Sequence, residues 1–162
     1  MLEIKTINNT YSKSVIDLVL NIQQKEFNVP ITIEDQPDLM QIENFYLNSG
    51  GNFWGAFIND ELVGTIALVK FDENAAAIRK MFVKKDFRGK EHNIAQQLLE
   101  TLITYCHENG IEEVYLGTVS ILKAALRFYE RNHFKIIDKE DLPAKFPLMS
   151  ADNVFCFLDL KS

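Results

Sequence analysis

The stretch Arg88-Gly89-Lys90-Glu91-His92-Asn93-Ile94-Ala95-Gln96-Gln97-Leu98-Leu99 lies between segments of different periodicity. Before it, Ala77-Ile78-Arg79-Lys80-Met81-Phe82-Val83 is an apolar-rich run that predicts a strand. After it, Ile94, Leu98, Leu102 and Cys106 recur at four-residue spacing with Ala95, Leu99 and Ile103 beside them, the pattern of an amphipathic helix. Asn93 stands where an N-cap belongs and Asn109-Gly110 where a C-terminal stop belongs. The expectation is a strand, a short basic loop, and a helix whose start faces that loop. Helix starts carry unpaired N–H groups and partial positive charge, so they attract anions. Arg88 and Lys90 add cations, and Gly89 lets backbone approach a ligand. A diphosphate suits such a place, and so does plain solvent around a basic turn.

The rest of the chain frames that motif. With 162 residues, 47% apolar and 25% charged, it has the size and composition of one soluble globular domain spanning 1–162. No apolar run reaches bilayer-spanning length, and Met1-Leu2-Glu3-Ile4-Lys5 lacks a signal-peptide core, so cytoplasm is the expected compartment. Cys106 and Cys156, isolated from each other, form neither a disulfide framework nor a metal site and read as small buried apolar residues. Net charge is −6, with basic residues concentrated in 79–90, which argues against general nucleic-acid binding. It leaves room for a local anion site in a negative field that attracts a cationic co-substrate weakly.

In order, 2–8 predicts a strand and Ser12 or Ser14 a helix running to about Phe27, with Val15, Leu18, Val19 and Ile22 buried. Residues 28–37, with Pro30 and Pro37, connect to a second helix capped by Asp38 and bearing Leu39, Ile42, Phe45 and Tyr46. Strands follow at 53–58, 62–71 and 75–84, the first two joined by an Asn59-Asp60-Glu61 hairpin. Beyond the central helix come a strand at 114–119, a helix at 123–132, and strands at 134–137 and 154–160. This order predicts a mostly antiparallel sheet with helices on both faces.

Two segments resemble one known family. Met81 to Gly89 followed by Ile94-Ala95 and Leu98-Leu99 is similar to the pyrophosphate-binding motif of the GNAT superfamily of N-acetyltransferases, with Asn93 in place of the usual inner glycine. Ala125-Leu126-Arg127-Phe128-Tyr129-Glu130-Arg131-Asn132-His133-Phe134 resembles the family's Ala-x-x-x-Tyr-Glu-x-x-Gly-Phe segment, with His133 at the glycine. The element order is that of the GNAT fold, an α/β (α+β) class with a mixed, mostly antiparallel sheet. The resemblance implies acetyl-CoA as co-substrate, no metal, and direct attack of a primary amine (small molecule or peptide) on the thioester. It implies a binding loop from Arg88, Gly89, Lys90, Asn93, Ile94, Ala95 and Gln96, with Met81, Phe82 and Val83 holding the pantetheine arm as an added strand. Backbone N–H groups there can also polarise the thioester carbonyl.

Tyr129 corresponds to the tyrosine beside the thioester sulfur; a phenol of pKa about 10 is protonated at neutral pH and can donate to a departing thiolate. The alternative is a core aromatic. The sequence departs from the family twice: Ala77 stands where many members carry a glutamate base, and Leu122 where many carry an asparagine. With Ala77 there, either water relays the amine proton to a more distant acid such as Glu26, or the acceptor is a weaker base. The Glu26 route predicts kcat/KM rising with pH towards the acceptor's own pKa. Phe27, Glu34, Asp35 and Trp54 are weaker candidates for the acceptor wall; His92 and His107 are expected exposed. The expected partners are acetyl-CoA and an amine acceptor, without nucleic acid or membrane, a homodimer being left open. The alternative is a GNAT-like module that binds acyl-CoA without catalysis.

Overall fold

The structure, a computed structural model, describes residues 1–89 and 91–161. One seven-stranded sheet runs through it in the order β1-β2-β3-β4-β5-β7-β6. Strands β1 (Leu2–Thr6), β2 (Asn52–Ile58), β3 (Glu61–Asp72) and β4 (Ala75–Val83) form an antiparallel meander. Asn59 and Asp60, both at positive φ, make the two-residue turn between β2 and β3 that the twist of a hairpin favours. Strands β5 (Glu113–Thr118), β6 (Lys135–Ile137) and β7 (Val154–Asp159) complete the sheet, and β4 with β5 is its parallel pair. A parallel pair requires a crossover, supplied by helix α2 (Ile94–Glu108).

The core divides by sheet face. Ile94, Leu98, Leu99, Leu102 and Cys106 of α2 pack with Ile66, Ile78 and Leu116 on one face. On the other, Val15, Leu18 and Val19 of α1 (Ser12–Leu20) and Ile22 pack with Leu39, Ile42, Tyr46 and Phe53. Both stripes are those expected from spacing. Helix α1 continues to Glu26 in wider, π-type turns, closed by Phe27 N–H donating to the Ile22 carbonyl. Both cysteines are buried and free, and burial pushes the Cys106 thiol up to about 12 and Cys156 to about 11.

The second predicted helix takes a different form. A short 3₁₀ turn over Pro37–Met40 and a π-type turn over Glu43–Leu47 replace it, and Asp38 is buried instead of capping. The cause is tertiary: Asp38 turns inward to accept from Tyr46 Oη at 2.5 Å and to face Lys80 Nζ at 3.7 Å. Phe45 remains partly exposed beneath Arg79.

Helix α3 (Lys123–Arg131) ends with Phe134 N–H donating to the Tyr129 carbonyl at 3.1 Å and His133 at φ +73°. That left-handed position explains the family's glycine there. His133→Gly should therefore raise stability by about 1 kcal/mol, read by thermal or urea denaturation. An unchanged midpoint would mean that His133 makes compensating contacts.

Candidate active site

Strands β4 and β5 pair only from Ala75 to Ile78 against Glu113 to Leu116. Beyond Ile78, β5 continues its ladder with β7 but no longer with β4, so the sheet splits. A bulge opens β4 at this point: Ala67 faces Arg79, whereas Thr65 faces Phe82. Lys80 sits at the bulge with φ +53°, its carbonyl held by the buried Thr65 hydroxyl at 2.7 Å. The β5-facing edge of Met81–Val83 is thus left without a strand partner.

Two cavities open at the split. The outer one, about 490 Å³, is lined by Met81, Phe82, Val83, Arg88, Gly89 and Ala95 among others, with α3 forming its far wall. The inner one, about 190 Å³, extends between β4 and β5 towards the 146–152 segment. Tyr129 lines both, as do Met81 and Phe82. Although Tyr129 is buried, its hydroxyl makes no hydrogen bond among the described residues. Burial, reinforced by the nearby Cys156 thiol, pushes this phenol far above its ordinary range. It stays protonated throughout the physiological pH range.

At the outer end, Gly89 (φ +110°) and Asn93 (φ +52°) both take left-handed backbone in turning the chain into α2. Asn93 holds the N-cap position without a side-chain cap bond; its left-handed tolerance is what the loop uses. The first turn of α2 contains no acidic residue, so nothing there opposes an anion. Ile94 is buried in the core, while Gln96 donates from its side chain to Asn132 at 2.9 Å and ties α2 to the end of α3. Lys90 lies outside the described residues.

Arg88 donates from Nε to the Val83 carbonyl at 2.8 Å and grips Glu26 with both terminal nitrogens, one of them at 2.7 Å. The guanidinium holds the Glu26 carboxyl below its ordinary range. The structure therefore places Glu26 beside Arg88 and outside the lining of either cavity, a geometry that suits orienting Arg88 better than accepting an amine proton. Phe27 lines the outer cavity. Trp54 is in the core against Tyr105, Asp35 closes a capping box with Thr32, and Glu34 is exposed. His107 is exposed, but His92 is half-buried against Phe87. Ala77, at the position of the family's glutamate, presents only a methyl group to the inner cavity.

Three charged residues at the split escaped the sequence reading. Lys80 Nζ donates to Gln36 Oε1 at 2.5 Å and faces Asp38, with only 6% of its side chain exposed. Desolvation outweighs the attraction of Asp38 and lowers Lys80 to about 8. Asp152 reaches the inner cavity from the segment before β7. Gln36 also exchanges hydrogen bonds with Gln23, so the 28–37 connection is tied to the β4 bulge. Lys80 carries a weak signal, a cation inside an apolar run. Asp38 resembles a cap, and nothing around Asp152 marks it.

Comparison with known proteins accords with this geometry. The chain is 42% identical to a structure of an acetyltransferase of the GNAT family from Staphylococcus aureus Mu50, covering 99% of this chain and 100% of that one, with a TM-score of 0.96. An acetyltransferase from Streptococcus agalactiae 2603 matches at 30% identity over 98% of each chain, with a TM-score of 0.93. Among curated proteins, the N-acetylaspartate synthetase of Danio rerio is 32% identical over 106 residues, 64% of this chain. The chain spans only 37% of that relative's length. The family model "Acetyltransferase (GNAT) family" matches residues 16–134, so the chain belongs to the GNAT acetyltransferase family.

Proposed function

We propose that the protein is an N-acetyltransferase moving the acetyl group of acetyl-CoA to a primary amine by direct attack. The observation that carries this reading is the split sheet: an unpaired β4 edge and an unpartnered phenol meet between two cavities. Acetyl-CoA is the donor that family membership supports. Its pantetheine arm would lie along Met81–Val83, with its diphosphate at Gly89, Asn93 and the first turn of α2. Arg88 would exchange part of its pairing with Glu26 for phosphate. Held thioester and amine need little more than alignment for a large acceleration. The unpartnered Tyr129 hydroxyl favours transfer over a module that only binds. The relatives include N-acetyltransferases, which supports an amine acceptor, either a small molecule or a peptide. Two free thiols suit a reducing compartment and support the cytoplasm, and no described helix is long and apolar enough to cross a membrane.

Acetyl-CoA at about 100 times its Kd should add about 2.7 kcal/mol of stability. Arg88→Gln should remove most of that gain, read as the ligand-induced change in Tm. Equal gains in wild type and variant would take Arg88 out of the cofactor site. An amine panel with acetyl-CoA, followed by release of free thiol, tests transfer directly; a thermal gain without turnover of any amine would make the protein a binding module.

A further inference from the structure

We infer that Asp152 is the catalytic base that accepts the proton of the acceptor amine, in the role left open by Ala77. The inference rests on the transferase reading above and deepens it. Asp152 lines the inner cavity together with Ala77 and Tyr129, so a carboxylate and a phenol bound the same small space. Room for it is built into β5: a Cβ at Gly117 would collide with the Asp152 carboxylate. The segment is stitched in place around it. Asn153 N–H donates to the Thr118 carbonyl at 2.9 Å, Ser120 N–H donates to Asn153 Oδ1 at 2.8 Å, and Arg79 donates to Met149 Sδ at 2.9 Å. The carboxylate accepts no hydrogen bond among the described residues, so its oxygens are left unpartnered at the edge of the cavity.

The charged groups facing Asp152 are Arg79 and Lys80, both from β4. Burial raises its carboxyl and these two cations oppose the rise, with burial the larger influence. The result is a better base than an exposed aspartate. In the reaction, the ammonium gives one proton to Asp152, and the neutral nitrogen forms a bond to the thioester carbon. Collapse breaks the C–S bond. The thiolate takes the Tyr129 proton, the nitrogen's second proton restores the phenol, and Asp152 returns the first to solvent. One amide, one thiol and one released proton balance the ammonium and thioester consumed.

The test is the pH profile of kcat/KM for wild type and Asp152→Asn with an amine accepted in the panel, alongside the acetyl-CoA thermal shift. The expected result is a loss of at least tenfold near pH 7 with an unchanged thermal shift. The gap should narrow as pH approaches the acceptor's own pKa, about 10 for an alkylamine, because free amine then needs no base. Gly117→Ala, which displaces the carboxylate without altering it, should lower kcat/KM in the same pH-dependent way and serves if Asp152→Asn fails to fold. A loss that is constant across pH, or no loss in either variant while wild type turns over, overturns the assignment and leaves acetyl transfer standing. A wild type that binds acetyl-CoA but acetylates no amine overturns both.

Discussion

Tyr129→Phe should lower kcat roughly 10²-fold while leaving acetyl-CoA affinity nearly intact. The phenyl ring keeps the packing against Phe128 and Phe134 and removes only a hydroxyl that has no partner among the described residues. No buried bond is lost in the resting protein, so stability should hold. On the proposed mechanism, what is lost is the donor at the sulfur. A phenol pushed so far up does not readily surrender its proton to a thiolate whose own pKa is about 8.5. In the proposed transfer it acts first by hydrogen bonding to the developing charge, and the step completes as the attacking nitrogen, now strongly acidic, replaces the proton. The raised pKa also means that deprotonation of Tyr129 should produce no falling limb in the rate below pH 10. Steady-state kinetics with a fixed amine, plus acetyl-CoA binding by calorimetry, check both statements. An unchanged kcat would return Tyr129 to a packing role.

Asp38→Ala should cost about 3–5 kcal/mol of stability, the usual result of stranding one member of a buried ion pair. Lys80 would be left with Gln36 as its remaining partner, and the Tyr46 hydroxyl would lose its acceptor. For a chain of this length the Tm falls roughly 10 °C. Restoring neutrality with Lys80→Met in the same chain should recover much of the loss. Lys80 itself makes the wild type pH-sensitive in a defined direction. Its folded-state value of about 8 lies below the ordinary 10.5, so between those values the unfolded chain binds the extra proton. Stability must then rise with pH across that window, by roughly 3 kcal/mol in all, and the full burden is present below pH 8. Denaturant titrations of wild type and Lys80→Met at pH 7 and 9.5 isolate the contribution. A difference independent of pH would mean that Lys80 is not desolvated as described.

The sequence made the fold legible wherever the signal is local. The stripe of α2, the continuous apolar runs of β2 to β4 and the Asn59-Asp60 turn each state their structure locally. The region from Asp38 to Leu47 did not, because its shape answers to a lysine more than thirty residues away. The site divides in the same way. Gly89, Asn93 and Tyr129 stand in local motifs, and the structure gathers Gly89 and Tyr129 at one cavity. Glu26 was selected as a carboxylate near the right helix, but its ion pair with Arg88 depends on a contact across 62 positions. Asp152 was missed because its setting is made by Gly117 and by the bulge at Lys80, neither of which is near it in sequence.

The split between β4 and β5 also bears on how the sheet is exposed to edge-to-edge pairing. Unpaired strand backbone on the rim of a sheet is an invitation to other chains and a common start of aggregation. Here the unpaired stretch Met81–Val83 lies inside the sheet, with β3 on one side and α3 across the gap. A foreign polypeptide strand would have to displace the protein's own elements to reach it, whereas a single slender chain need only thread in. The true rims are guarded differently: β1 carries Glu3 and Lys5, and β6 is three residues long and begins with Lys135. The fold thereby keeps this unpaired edge inside the sheet and presents charged or short edges to its neighbours.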